Sequence, residues 1–146
     1  MGTRSTYRVI ETWKDEKTGK TKKNNLVLVY VQYDGYPSGH PSSTAEWLST
    51  GTVVNGLSMT EGKLVFNGAG CLAAQLIERL KDGPGGTYIH AMSQRGKCWE
   101  DYVYDIVVDE DKSITFIAYD NGKRIVKLFE GTPAGFVEFA AKKETA

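Results

Sequence analysis

The chain has few of the side chains that catalytic and metal sites use most, and it has no excess of charge. Its 146 residues include two histidines and two cysteines, and 18 basic residues balance 18 acidic ones. A neutral chain lacks the positive charge on which broad nucleic-acid binding relies, so we expect no such partner. Cys71 and Cys98 fit no zinc spacing, and two histidines lack a close third ligand. We therefore predict neither a metal nor a cofactor.

Long apolar segments are also missing. There is no run of 18 apolar residues, and no charged segment followed by a short apolar one near the start. We expect a cytoplasmic protein with no membrane partner. The length predicts one domain, residues 1–146, that is large enough to bury a core without a disulfide.

What is present predicts an α+β fold. Alternating or β-branched segments predict strands over residues 3–13, 26–33, 87–92, 102–108, 114–119 and 124–129. We predict helices after a Ser43–Glu46 capping box, over residues 69–81, and from Thr132 to Ala141. Strands at both ends with helices between them indicate a mostly antiparallel sheet of about five to six strands, with two to three short helices packed on it.

The segment between the first two predicted helices, residues 51–66, has no clear periodicity. We interpret it as irregular chain. Val53, Val54 and Leu57 are expected to reach the core, with turns at Asn55–Gly56 and Glu61–Gly62.

The loop after the second predicted strand is the leading site candidate. Residues 31–40 read VQYDGYPSGH, and a turn needs only the glycines and the proline. The additional polar and aromatic side chains suggest function, because functional residues are often carried on loops held by a rigid scaffold. We predict that Asp34, Tyr36, Ser38 and His40 bind a ligand.

Arg4 is predicted to join this loop. In an antiparallel hairpin the start of the first strand lies beside the end of the second, which brings the guanidinium towards Asp34. Two interpretations stay open. The pair is either an ion pair that fixes the loop or a clamp for an anionic ligand, for which arginine has the right geometry.

Asn67, Gly68 and Gly70 form a second candidate. They precede a predicted helix, whose free N–H groups attract anions. The segment lacks the lysine of a phosphate-binding loop and the three-glycine spacing of a dinucleotide site, so an ordinary helix start is the alternative. Several aromatic residues either stack on a flat ligand or belong to a half-exposed sheet: Tyr33, Tyr36, Tyr88, Trp99, Tyr102 and Tyr104.

Four sequence segments carry a resemblance to a known group. They are GTRST at residues 2–6, QYDGYPSG at 32–39, FNGAGCLAAQ at 66–75 and DGPGGTY at 82–88. On these the chain resembles a family of small uncharacterised proteins from bacteria, tailed phages and large DNA viruses. The resemblance implies a source class and no chemistry. It also implies that Arg4, the Asp34 loop and the Asn67 loop meet in space.

Our first hypothesis is a non-catalytic protein that binds a small anionic or nucleotide-like molecule. Arg4 would pair with the charge, the Asn67–Gly70 helix start would donate N–H groups, and Tyr36 would stack on the ligand. In a phage such a protein could sequester a nucleotide of host immune signalling, in the host cytoplasm.

Two alternatives belong to other classes. One is a hydrolase or transferase acting on a similar anion, with His40 as base and Asp34 as its orienting carboxylate. The other is an inhibitor that binds a host protein through the predicted hairpin at residues 14–25 or through the tyrosine-rich strands. The ligand and the oligomeric state are left open.

Overall fold

A six-stranded mixed sheet with helices packed on it forms the centre of the computed structural model, which describes residues 2–56 and 63–145. The strands of the large sheet and of a second, two-stranded sheet are, in chain order, β1 (Ser5–Lys14), β2 (Thr21–Val31), β3 (Thr52–Val54), β4 (Val65–Asn67), β5 (Thr87–His90), β6 (Tyr102–Val108), β7 (Ile114–Asn121) and β8 (Ile125–Gly131). Its helices are α1 (His40–Ser49), α2 (Gly68–Leu80), α3 (Pro133–Thr145) and a short 3-10 helix, Met92–Gln94. The predicted α+β class is confirmed.

The large sheet has the strand order β5-β2-β1-β6-β7-β8. Its neighbouring strands are antiparallel except for β1 and β6, which run parallel from Ser5 opposite Tyr102 to Glu11 opposite Val108. The hairpins follow from local sequence. The parallel pair does not, because parallel partners need a long crossover connection. Here the chain between β1 and β6 includes the helices α1 and α2.

The segment predicted to be irregular contains regular structure. β3 and β4 pair in parallel as a separate two-stranded sheet, with Val53 opposite Phe66. Val53 is buried, as predicted, and Val54 is half-buried. The other predicted core residue, Leu57, and the Glu61–Gly62 turn lie outside the described residues.

The β1–β2 hairpin brings the start of the chain to the candidate loop. Ser5 lies opposite Val31, so the predicted neighbourhood of these strand ends is confirmed. The strands extend further outward than predicted, since Thr21–Asn25 continues β2 as an exposed arm. A register shift between Val9 and Ile10 marks a bulge, and such a bulge adds local twist.

One face of the sheet carries the main core under the helices. Alternation along β1 places Tyr7 and Val9 on that face, where both are fully buried. The predicted apolar stripe of α2 supplies Leu72 and Leu76, and α3 supplies Phe136. Each such side chain stabilises the fold by about 1.5–3 kcal/mol relative to an exposed one.

Helix α1 begins earlier than predicted. Its N-cap is Gly39, without a side-chain cap, and Pro41 lies in its first turn. The Ser43 hydroxyl donates to the His40 carbonyl oxygen at 3.0 Å, so the predicted Ser43–Glu46 capping box is wrong. The early start follows from proline, whose fixed φ suits the first helical turn.

The opposite face of β1 and β6 is covered by residues 91–101. Glu100 is buried there, and its carboxylate accepts hydrogen bonds from the Thr6 hydroxyl at 2.9 Å and from the Gly96 N–H at 3.0 Å. Asp105 accepts bidentate hydrogen bonds from both Arg8 and Arg95. These two carboxylates therefore anchor the covering segment to the sheet.

Candidate ligand-binding site

The candidate loop is closed on itself and tied to β1. The Asp34 carbonyl oxygen accepts the His40 N–H at 3.1 Å, and the Gly35 N–H donates to the Thr3 carbonyl oxygen at 3.0 Å. Asp34 has a φ of 56°, a left-handed conformation that aspartate tolerates. A Cβ at Gly39 would collide with the Asp34 carbonyl oxygen. The two ends of the loop therefore meet only if residue 39 is glycine, and this closure places His40 at the start of α1.

The His40 ring is held from inside the protein by Tyr7. The Tyr7 hydroxyl and His40 Nδ1 share a hydrogen bond of 2.7 Å. Burial lowers the pKa of His40 to about 4, and the opposing effects of the Tyr33 backbone and the Asp34 charge are smaller. Burial also raises the pKa of Tyr7. At neutral pH the pair is therefore a neutral imidazole and a protonated phenol.

A second tyrosine supports the loop. The Tyr104 hydroxyl donates to the Gly35 carbonyl oxygen at 2.7 Å, and the Tyr104 and Tyr7 rings stack with centroids 5.4 Å apart. The prediction had left open whether Tyr104 stacks on a ligand or belongs to the sheet. Its full burial assigns it to the core, beneath the loop.

Two polar atoms beside this pair lack a hydrogen bond of good geometry. His40 Nε2 and Thr44 Oγ1 are buried, and within the described residues only weaker polar contacts reach their side chains, from the Tyr33 backbone to His40 and from the Tyr7 hydroxyl to Thr44. Both residues line a cavity of about 300 Å³, whose walls are Val31, His40, Ser43, Thr44, Arg79 and Leu80. Buried polar groups are nearly always hydrogen-bonded, so unpartnered ones beside a cavity suggest a ligand or water. In the tautomer in which Tyr7 donates to Nδ1, the neutral ring carries its proton on Nε2, which is then a donor; in the other tautomer Nε2 is an acceptor.

Arg79 supplies a positive charge to the wall of this cavity. It lies in the last turn of α2, and its Nη2 donates to the Ser43 carbonyl oxygen at 3.2 Å. Its guanidinium carbon is 5.3 Å from the centroid of the Trp47 ring, within the range of a cation–π contact. These contacts hold the side chain across α1, and within the described part of the chain the other N–H donors of Arg79 make no hydrogen bond and are available to an anion.

A larger groove adjoins the cavity. It measures about 620 Å³ and shares Val31 and Leu80 with the cavity wall. Its other lining residues include Tyr33, Asp34, Asp82 and Tyr88. Lys81 braces one side, donating to the carbonyl oxygens of Gly85 at 3.0 Å and Thr87 at 2.9 Å. A cationic cavity thus lies beside a groove that carries tyrosines and carboxylates.

Arg4 does not join this site through its side chain. Its backbone N–H donates to Asp101 Oδ2 at 3.1 Å, and its guanidinium acts electrostatically on Tyr30. Among the described residues no ion pair joins Arg4 to Asp34. The predicted proximity of the chain segments is confirmed. Of the two interpretations of Arg4, the ion pair with Asp34 is absent from the described residues, and the clamp for an anionic ligand stays a prediction.

Tyr36 and Ser38 lie on another side of the loop. They line a smaller cavity of about 150 Å³ together with Tyr102 and Lys143. The structure therefore separates these two predicted site residues from the cavity of His40, although all three belong to one loop.

Asn67, Gly68 and Gly70 lie at the other end of α2 from Arg79, so the implied meeting of their segment with the Asp34 loop is wrong. Gly68 lines a cavity of about 460 Å³ together with three acidic residues and one basic residue, Glu11, Asp109, Glu110 and Lys112, and this excess of negative charge disfavours an anion. Asn67 Oδ1 accepts the Gly56 N–H at 2.8 Å, which is a structural use of that side chain. The two ends are separated because α2 has 13 residues and is about 20 Å long.

Thr44 and Arg79 are the site residues that the sequence did not reveal. Thr44 is four residues after His40 on one helix, and side chains at this spacing share a face. Placing the helix start at His40 would have found it. Arg79 has no local signal, because its approach to α1 depends on how the two helices pack.

Two further findings concern the thiol of Cys98 and the potential metal ligands of the described residues. Burial raises the pKa of the Cys98 thiol to about 12, so it stays protonated. No group of three or more potential metal ligands occurs in residues 2–56 and 63–145. Within those same ranges, no helix is both long and apolar enough to cross a membrane.

Comparison of the chain with protein-family models, curated proteins and solved structures finds no match. The resemblance to phage and viral proteins therefore stays a prediction. The function has to be argued from the geometry of the cavity itself.

Proposed function

We propose that the protein binds a small anionic or nucleotide-like molecule without converting it, and that the anion lies in the cavity of His40. One observation carries this proposal. His40 Nε2 and Thr44 Oγ1 are buried and lack a hydrogen bond of good geometry in the described chain, and both residues line a cavity whose wall includes the cationic Arg79. Three donors of this kind suit the oxygens of a phosphate or carboxylate.

The start of α1 favours the same charge. Ser43 and Thr44 belong to its first turns, and the N-terminal end of a helix attracts anions. The C-terminal end of α2 also faces this region and repels anions, and the positive charge of Arg79 compensates for that repulsion. The cavity is within the lower range of ligand-site volumes, and the adjoining groove can accept the rest of a larger molecule.

Catalysis has weaker support. The His40 ring is bonded to Tyr7, and among the described residues no hydrogen bond joins it to the Asp34 carboxylate. Its pKa of about 4 makes it a weak general base at neutral pH. The hydrolase or transferase alternative lacks the orienting carboxylate that it requires.

The biological use that we propose is sequestration. A phage protein that holds a host signalling nucleotide would withdraw it from its receptor, which requires tight binding and no turnover. This step rests on the source class implied by the resemblance. A bound nucleotide recovered intact after denaturation would distinguish sequestration from hydrolysis or transfer.

Thermal melting and titration calorimetry against inorganic phosphate, ribose 5-phosphate and a panel of nucleotides test the proposal. A ligand at 100 times its Kd stabilises a protein by about 2.7 kcal/mol. We expect Arg79→Gln to abolish the stabilisation. Arg124→Gln, an exposed arginine after β7, is the matched control and should leave it unchanged. No stabilisation by any compound, or binding that is insensitive to Arg79→Gln, would contradict the proposed function.

A further inference from the structure

The groove beside the cavity differs from it in chemistry. The cavity is lined by Arg79, a cation, whereas the groove is lined by the carboxylates Asp34 and Asp82. A carboxylate accepts hydrogen bonds from hydroxyl and amino groups and repels a second anion. A molecule that fills both spaces therefore carries its negative charge at one end and donor groups at the other.

Two tyrosines add a flat apolar surface to the groove. Tyr33 is 54% and Tyr88 48% exposed, and both side chains line it. Lys81 holds Tyr88 from one side, with its Nζ 5.6 Å from the centroid of the ring. Rings of this type stack on the faces of nucleobases, and each stacked base contributes about 1–3 kcal/mol.

The two spaces are neighbours, since Val31 and Leu80 belong to both walls. The groove, at about 620 Å³, is about twice the size of the cavity. This proportion fits a compact charged group attached to a larger uncharged one.

We infer that the ligand is a nucleoside monophosphate, with its phosphate in the cavity of His40, Thr44 and Arg79 and its nucleoside in the groove of Tyr33, Asp34 and Tyr88. The inference rests on the proposed function, because it uses the same anion site. Asp34 accepts hydrogen bonds from ribose hydroxyl or base amino groups, and the tyrosines stack on the base.

Titration calorimetry with AMP, GMP, CMP and UMP, each compared with ribose 5-phosphate, tests the assignment. We expect at least one nucleotide to bind at least about fivefold more tightly than ribose 5-phosphate, the factor that corresponds to 1 kcal/mol. Tyr88→Ala and, as a second variant, Tyr33→Ala should reduce this advantage and leave ribose 5-phosphate binding unchanged. Asp34→Asn keeps a residue that tolerates the left-handed backbone and should also weaken nucleotide binding.

Trp99→Ala is the matched aromatic control, because Trp99 is 83% exposed and lines neither the cavity nor the groove. It should leave every affinity unchanged. Equal affinities for ribose 5-phosphate and all four nucleotides would overturn the inference and leave the proposed function standing. A nucleotide advantage that survives in both tyrosine variants and in Asp34→Asn would also overturn it. No binding of any of these compounds would overturn both.

Discussion

The Tyr7 hydroxyl and His40 Nδ1 lie 2.7 Å apart, and this hydrogen bond connects the centre of the sheet to the first residue of α1. Tyr7 is fully buried on β1, between His40 and the stacked ring of Tyr104. The conformation of the Asp34 loop, the start of the helix and one wall of the cavity all depend on this contact. Changes in either ring are therefore expected to affect both stability and ligand binding.

Removing the Tyr7 hydroxyl should destabilise the protein. Tyr7→Phe keeps the ring but leaves His40 Nδ1 without its partner, and an unsatisfied buried polar group costs about 1–3 kcal/mol. Urea denaturation should show a lower midpoint with an unchanged slope. Tyr36→Phe is the matched control, because that ring is 41% exposed. Equal stability of Tyr7→Phe and the wild type would contradict the structural role of the hydrogen bond.

The lowered pKa of His40 predicts acid sensitivity in a defined range. Its pKa is about 4 in the folded protein and 6.5 in the unfolded chain, so the unfolded state binds one more proton between these values. The free energy of unfolding should therefore fall as the pH drops from about 6.5 to about 4, by about 3 kcal/mol in total from this group. Chemical denaturation at intervals across this range measures the slope.

The matched variant for the acid effect is His40→Gln, which cannot titrate. It should be less stable than the wild type at neutral pH, because the bond to Tyr7 is changed, and its slope between pH 6.5 and 5 should be shallower. An NMR titration of the His40 ring gives an independent value. A ring that titrates near 6.5 would contradict the burial and packing described for this side chain.

Two glycines, one from each candidate segment of the sequence, should change the stability of the protein in opposite directions when replaced by alanine. Gly39→Ala introduces a Cβ that collides with the Asp34 carbonyl oxygen, and such overpacking costs about 1–3 kcal/mol. Gly70→Ala lies inside α2, where, outside the helix's own backbone, no atom of residues 2–56 and 63–145 is within 4 Å of the added Cβ, and it should stabilise the protein by about 0.5–1 kcal/mol. Thermal melting compares the two directly. The same effect for both variants would contradict the loop closure.

The elements that the sequence predicts well are those encoded by local patterns. The leucine stripe of α2 and the alternation of β6 and β7 depend on residues a few positions apart, and their bounds agree with the structure within two residues. The β1–β6 pair depends on residues far apart, as Ser5 and Tyr102 are, and no local pattern encodes that separation. The α+β class could therefore be predicted from the sequence, but the order of the strands in the sheet could not.

The candidate site shows the same division. His40 and Asp34 were selected as candidates because the loop carries more polar chemistry than a turn requires. Arg79 was missed because only the packing of α2 on α1 brings it to His40. The Asn67–Gly70 segment was wrongly expected to meet the Asp34 loop. The start of a helix attracts anions wherever it lies, and the sequence alone does not show which end of a helix faces a loop.

The two guanidiniums on Asp105 predict a large and specific loss of stability. Arg8 and Arg95 contact this carboxylate at 2.9 and 2.8 Å, and its side chain is 2% exposed. Asp105→Asn leaves two largely buried cations without a counter-charge, and breaking a buried pair in this way costs about 3–5 kcal/mol. Lys127→Gln is the matched control, because the Lys127–Glu130 pair is exposed and such pairs contribute little. Urea denaturation should show a large loss for Asp105→Asn and no measurable change for Lys127→Gln. Comparable losses would mean that Asp105 does not anchor segment 91–101 to the sheet and that the bond between Glu100 and Thr6 does so instead.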